Sequence, residues 1–390
     1  MQKFFRKHSL FYYTVLEDKF IVNFLIFIML VHHKYAVAFA CLEKATPLRL
    51  RKIFAYFKDL EKAWKFGRAE EFVAAGLEWE VANDLMKARE KVNPEIEEQK
   101  INQFGVEIIL FGSEKYPKYL AEIHNPPALL FVRGKILPAD RFALAIVGSR
   151  MMSTYGRQVT NEIARETAKR GITIISGLAA GVDAEAHKAA LSVGGRTIGV
   201  LGCGVDFIYP PQNKKLATEI LESGGALISE YPMGTGPTAY NFPQRNRIIA
   251  GLSQGVLVTE AREKSGALIT AQIALEENRE VFAVPGDIFR LGSGGTSKLI
   301  KTGAHPVTSA EDIAEILNFN AIPEKLATEK IAPSSAIEAK LRSLLDREPV
   351  HIDQLARESQ LSSSAISSEL VILEMKGLAK NLGGMMWVKG

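Results

Sequence analysis

The sequence predicts an α/β protein: a buried parallel sheet, with a small helical unit before it and a winged helix after it. Three observations predict this. From about Val106 onward, short apolar runs alternate with amphipathic stretches, the order that builds βαβ units. Those runs are apolar throughout, as strands covered on both faces are. The C-terminal segment reads as three helices followed by a hairpin.

The composition bounds the function. A chain of 390 residues predicts about two to four domains at roughly 100–200 residues each. With 47% hydrophobic and 24% charged residues it is neither disordered, collagen-like nor a membrane bundle. The formal net charge of +4 is too small to draw nucleic acid by bulk attraction, so any anion site is local. Two cysteines, Cys41 and Cys203, exclude a disulfide scaffold and a multi-cysteine zinc site. The chain reads as cytoplasmic.

Residues 1–34 form an apolar extension, outside or on the margin of the fold. Lys3, Arg6 and Lys7 precede an apolar run at 20–31, broken by Asn23. That run is shorter than the roughly 20 residues that span a bilayer. Glu17 and Asp18 separate it from the basic residues, and Ala38-Phe39-Ala40 is a weak cleavage site, a poor layout for a signal peptide. The favoured readings are an apolar helix packed on the body, or a stretch upstream of a start at Met29.

Residues 35–95 are helical and basic around Arg49, Arg51 and Lys52. Thr46-Pro47 supplies an N-cap and a first helical position. Asn93-Pro94 opens a connector. The core spans 100–319, with strands at 106–111, 128–132, 143–147, 173–175, 197–201, 226–228, 255–259 and 281–284. Amphipathic segments such as 156–170 and 184–192 lie between them. Residues 320–336 carry Pro323, Pro333, Ser334 and Ser335 and read as a linker. In 337–390, helices at 337–345, 352–359 and 364–376 precede a hairpin at 382–388.

In an open parallel sheet, ligands sit beyond the carboxyl ends of the strands. Here those ends carry Gly148-Ser149-Arg150 with Ser153 and Gly156, then Ser176-Gly177-Leu178-Ala179, then Gly202-Cys203-Gly204. Glycine admits a ligand close to the backbone, and the next helix offers free N–H groups to an anion. Arg150 adds a fork for a phosphate. The densest polar segment, Asn241-Phe242-Pro243-Gln244-Arg245-Asn246-Arg247, opens an apolar helix. Cations there oppose the helix dipole, which points to an anionic partner, and Phe242 offers a face for a base. Lys264-Ser265-Gly266 is a further strand-to-helix turn. Together Gly148, Ser149, Arg150, Ser153, Gly156, Ser176, Gly177, Phe242, Arg245, Asn246, Arg247, Lys264, Ser265 and Gly266 are the candidate phosphate-binding residues. No loop completes the dinucleotide fingerprint and no GxxxxGK[ST] occurs, so neither NAD nor another cofactor is expected. No histidine has partners at metal spacing, so no metal is expected. Asp183 and His187, four apart, read as a helix-start cap with a hydrogen-bonded histidine, and Cys203 as a small apolar residue.

These motifs resemble the DprA/Smf family. Those that carry the resemblance are Ile146-Val147-Gly148-Ser149-Arg150, Ser176-Gly177-Leu178-Ala179, Asp183 with Ala186-His187, Gly202-Cys203-Gly204-Val205-Asp206 with Tyr209-Pro210, Phe242-Pro243-Gln244-Arg245-Asn246-Arg247, Ser265-Gly266-Ala267-Leu268-Ile269-Thr270 and Pro285-Gly286. The resemblance implies an extended Rossmann-like core with a helical domain of the SAM or helix-hairpin-helix kind before it. It also implies a non-enzymatic protein of natural transformation. Such a protein binds single-stranded DNA without strong sequence preference, protects it and assists RecA loading. It acts as a homodimer and can also contact single-strand-binding protein. The first thirty residues are no part of the resemblance.

The alternative is a nucleotide phosphoribohydrolase-like enzyme of the same fold class, whose PGGxGTxxE motif supplies a catalytic glutamate. Here Gln272 falls where the acid belongs, and Gly294-Gly295-Thr296 lacks it too. A sequence-specific regulator is a third reading. The segment 336–390 holds 7 basic and 7 acidic residues, and its expected recognition helix offers few cations to phosphates, so protein contact or weak DNA contact is favoured. Weak sequence grounds place the dimer interface at 288–302, where apolar residues alternate with glycines.

Overall fold

A computed structural model describes residues 33–319, 336–345, 349–375 and 379–389. The apolar run at 20–31 and most of the expected linker lie outside the described residues. The chain divides into two units, 1–321 and 322–390.

The first unit opens with helices α1 (His33–Ala40), α2 (Pro47–Tyr56), α3 (Leu60–Phe66), α4 (Ala69–Ala74), α5 (Trp79–Arg89) and α6 (Pro94–Gln103). Thr46 caps α2 through its hydroxyl, with Pro47 at the first position. There follow β1 (Val106–Leu110), α7 (Lys118–Ala121), β2 (Leu129–Gly134), β3 (Ala143–Val147), α8 (Thr154–Lys169), β4 (Thr173–Ser176), α9 (Val182–Ser192) and β5 (Thr197–Val200). Then come α10 (Lys214–Glu222), β6 (Ala226–Ser229), α11 (Asn241–Gly251), β7 (Gly255–Val258), α12 (Gly266–Glu276), β8 (Glu280–Ala283), α13 (Gly294–Lys301), β9 (His305–Pro306) and α14 (Ala310–Ile316).

These strands form one sheet in the order β1-β2-β6-β5-β4-β3-β7-β8-β9. It is parallel from β6 to β9, and β2 and β1 join antiparallel at the edge. Every residue of β3 to β7 is buried, which is why those runs lack polar alternation. Ala145, Val147, Ile175 and Val258 face a cluster completed by Leu120 of α7, Ile248 and Ile249 of α11, and Ala267, Ala271 and Ala274 of α12. On the other face Leu129, Phe131 and Leu227 share one core with Leu216 and Ile220 of α10 and with Phe39, Ile53 and Phe72 of the early helices. The change of texture near residue 100 is therefore not a break in the core.

From β3 the chain works outward through β4, β5 and β6, then returns to place β7 on the other side of β3. The strand order reverses between β3 and β7, and beyond the carboxyl ends of such a pair a crevice opens.

The second unit contains α15 (Ala336–Leu344), β10 (Val350–His351), α16 (Ile352–Ser359), α17 (Ser363–Met375), β11 (Ala379–Gly383) and β12 (Met386–Lys389). Its sheet order is β10-β12-β11, and Leu341, Leu355, Ile366, Leu370, Leu373 and Trp387 form its core. Three helices and a three-stranded sheet make the winged helix that the sequence predicts.

Candidate functional site

At the crossover between β3 and β7 lies a cavity of about 660 Å³, within the range of about 300–1,000 Å³ usual for small-ligand pockets. Nine of the fourteen expected site residues line it: Gly148, Ser149, Arg150, Phe242, Arg245, Asn246, Lys264, Ser265 and Gly266. Helix geometry explains the contribution of α11. Phe242, Arg245, Asn246 and Ile249 are spaced i, i+3, i+4, i+7 and so share one stripe, which faces the cavity.

The wall is cationic. Arg150, Arg245, Arg262 and Lys264 line it against one carboxylate, Asp183. Arg150, Arg262 and Lys264 are exposed and, among the described residues, take part in no ion pair. Ser265 caps α12 by accepting from the Ala267 N–H, so the start of a helix of 11 residues also faces the cavity with its positive dipole end. Flat groups gather beside these charges. The Arg150 guanidinium lies 5.7 Å from the Phe242 ring centre, and the Tyr209 ring lies 5.5 Å from it at 37°.

Five expected residues lie elsewhere, because the protein's own carboxylates fill two of the anticipated anion seats. In the turn after β4, the Gly177 and Ala179 N–H groups donate to Asp183 Oδ2 at 3.1 and 3.4 Å. Ser176 Oγ donates to the Ile146 carbonyl at 2.6 Å. The turn is pinned further by Asn213, which donates to the carbonyls of Leu178 and Ala179. Gly177 is required by packing, since a Cβ there would lie 2.4 Å from Arg245 Nη1. In the turn after β3, Ser153 donates to Glu260 Oε2 through its N–H at 3.0 Å and its hydroxyl at 2.6 Å. A Cβ on Gly156 would lie 2.0 Å from that same oxygen. Glu260, Ser153 and Tyr155 line a second cavity of about 50 Å³.

The fifth, Arg247, is on the far side of α11. Its Nη1 and Nη2 donate to the two oxygens of Glu230 at 3.0 and 2.6 Å, and both side chains are buried. The charge that opposes the dipole of α11 thus has an internal partner, not one from outside. Arg245 is also turned inward. It is 4% exposed, and Nη1 donates to the carbonyls of Gly177, at 2.7 Å, and Val200. Burial pushes its guanidinium below the ordinary arginine range, while the Asp183 charge pulls it back up. Burial raises Asp183, and Arg245 offsets this.

Behind Asp183, His187 is fully buried. Thr197 Oγ1 donates to the Ile174 carbonyl at 2.7 Å and so accepts from His187 Nδ1–H at 2.6 Å. Among the described residues Nε2 has no partner. Burial, with a smaller push from Arg245, holds the imidazole down to about 3, so it is neutral. The pair is structural, as its spacing suggests, though Asp183 holds the preceding loop instead of capping α9. Cys203 is buried.

Sequence reasoning missed Tyr209 and Arg262. Tyr209 was noted only as part of a motif, and Arg262 is followed by Glu263, which masks it in a charge count. Their position beside a strand end was the available signal.

Known proteins resemble this chain in sequence and in fold. A sequence profile described as DNA recombination-mediator protein A matches residues 107–318, and one for the DprA winged helix domain matches 325–385. Protein Smf of Escherichia coli (strain K12) is 44% identical over 276 residues, 69% of this chain and 74% of that one. The X-ray structure of DNA processing protein A from Streptococcus pneumoniae superimposes with a TM-score of 0.61 at 35% identity, covering 72% of this chain and 95% of that one. A structure of DNA processing protein A from Helicobacter pylori, described for its single-stranded DNA binding mode, gives 0.50 at 32% identity, covering 56% and 97%. The first profile spans every loop around the cavity, from the turn after β3 to the start of α12. The chain belongs to the family of DNA recombination-mediator protein A.

Proposed function

We propose that this protein processes DNA in natural transformation by binding single-stranded DNA without strong sequence preference in the cavity between β3 and β7. There it protects the strand and assists RecA loading in the cytoplasm. The observation that carries the reading is the gathering of three cations without ion-pair partners among the described residues, a helix start and the Phe242–Tyr209 pair around one cavity. Cations and helix N–H groups suit phosphates, and aromatic faces suit bases of any sequence. Residues 106–319 carry 22 basic against 21 acidic residues, so attraction has to be focused at this cavity. A relative described for single-stranded DNA binding supports it. We read the protein as a binder and not a glycosidic hydrolase. Asp183 is tied down by two backbone N–H groups, and Glu260 faces the second cavity. Among the described residues no helix is long and apolar enough to cross a membrane.

Binding of oligo-dT at several salt concentrations tests the site. Arg150→Ala should weaken binding for all sequences and flatten the slope of log K against log salt by about 0.7, one phosphate's worth. Phe242→Ala should cost about 1–3 kcal/mol and leave the slope unchanged, because stacking releases no counterions. If both variants bind like the parent, the wrong cavity has been assigned.

We also propose a homodimer. The loop before α13 exposes Ile288 by 81%, Phe289 by 91% and Leu291 by 78%, a patch that association would cover. Light scattering should show a dimer for the parent and a monomer for Phe289→Asp. A parent that is monomeric at micromolar concentration would refute this interface.

A further inference from the structure

We propose that Arg247 and Glu230 are a positioning pair: they set the orientation of α11 so that Phe242 meets the DNA, and neither member of the pair touches it. This rests on the cavity between β3 and β7 being the DNA site. The far side of α11 is fastened through polar groups. Arg247 forks onto Glu230, the residue that follows β6, through two bonds. The next residue, Tyr231, donates from its hydroxyl to the Asn241 carbonyl at 3.4 Å, in the first turn of the same helix. The connection between β6 and α11 is thereby clamped at both of its ends. Arg247 is 8% exposed and does not line the cavity, so no phosphate can reach its guanidinium without dislodging α11.

The charges of the clamp are also felt at the early helices. Arg51 of α2 donates to Asn125 Oδ1 at 3.2 Å, and its guanidinium lies 5.8 Å from the Phe111 ring centre. Phe111 stacks edge-on against Tyr116 at 5.4 Å, and Tyr116 lies within the fields of Arg247, Glu230 and Arg51 together. Burial lowers the Arg51 guanidinium, with a further push from Arg247. Glu230 thus neutralises Arg247 where α2, the segment before α7 and α11 converge. Without it two arginines would repel across that junction.

The pair can be told from a phosphate contact by the sign of one substitution. Glu230→Gln removes an acid and frees Arg247. If Arg247 held a phosphate, binding would stay the same or tighten. A positioning pair predicts weaker binding, because α11 loses its fixed angle. Full-length Glu230→Gln, Arg247→Ala and Arg247→Lys would be titrated with fluorescent oligo-dT across a salt series, below the melting temperature of each. Expected are at least tenfold weaker binding for Glu230→Gln and Arg247→Ala, a smaller loss for Arg247→Lys, and parental salt slopes throughout. Should Arg247→Ala not fold, Arg247→Lys, which keeps one bond to Glu230, carries the same two readouts. Slope flattening by about 0.7 in an Arg247 variant would overturn the proposal, since that is one phosphate lost. So would Glu230→Gln binding within threefold of the parent or more tightly. Arg150→Ala in the same series separates the two claims. If it changes neither affinity nor slope, the cavity reading fails, whatever the pair does.

Discussion

Arg245→Ala should destabilise the fold by about 3–5 kcal/mol, the usual result of removing one partner from a buried charged group. The side chain is 4% exposed and donates to the carbonyls of Gly177 and Val200. Alanine strands both acceptors without water, and each buried unsatisfied group costs about 1–3 kcal/mol. It also removes the cation whose field offsets the burial of Asp183, and Asp183 holds the turn after β4. The floor of the cavity would loosen with the fold. Urea unfolding at pH 7 measures the loss as a lower midpoint at unchanged slope. A variant as stable as the parent but with a flattened salt slope in DNA binding would restore the simpler reading, a phosphate fork.

The second large effect is on acid stability. His187 is neutral in the fold and held down to about 3, against an ordinary value of 6.5. The unfolded chain therefore binds this proton first as pH falls. Stability from this group is complete above pH 6.5 and declines by about 1.4 kcal/mol per pH unit until about pH 3. Between pH 6.5 and 5 the loss is about 2 kcal/mol by the same relation. Carboxylates held low by partners, such as Asp312 beneath the Thr308 and Ser309 N–H groups, lose their contribution only further into acid. His187→Asn cannot titrate there and should show a flatter stability profile between pH 6.5 and 5. An unchanged profile would mean that the imidazole is not held neutral. Asp183 acts in the opposite sense: burial raises it, so it disfavours the fold less as pH falls.

Much of the fold was legible because it depends on local pattern. Unbroken apolar runs at 143–147 and 255–259 read as strands covered on both faces, and β3 and β7 are buried at every position. The Thr46-Pro47 start of α2 depends on one hydroxyl and one ring, so it could be read directly. Within the site, the residues at strand and helix ends were found because topology places such ends together. Gly148, Arg150, Phe242 and Lys264 needed only the rule that ligands gather beyond the carboxyl edge.

What the sequence by itself determined about this protein was its α/β class, its winged helix, its family and the loops that meet at the crossover. Tertiary structure alone decided which charges in those loops face outward. Arg245 and Arg247 look alike in sequence and stand two apart, but on a helix that spacing turns them to different sides. One reaches the cavity floor and the other reaches Glu230, 17 positions earlier in the chain. Asp183 and Glu260 likewise fill anion seats that glycine-rich turns seemed to hold open, and Glu260 comes from 107 positions beyond Ser153. The physical reason is that a buried charge has to find its counter-charge or hydrogen bonds wherever the fold brings them. Such pairings depend on distance in space, which residue spacing along the chain does not encode.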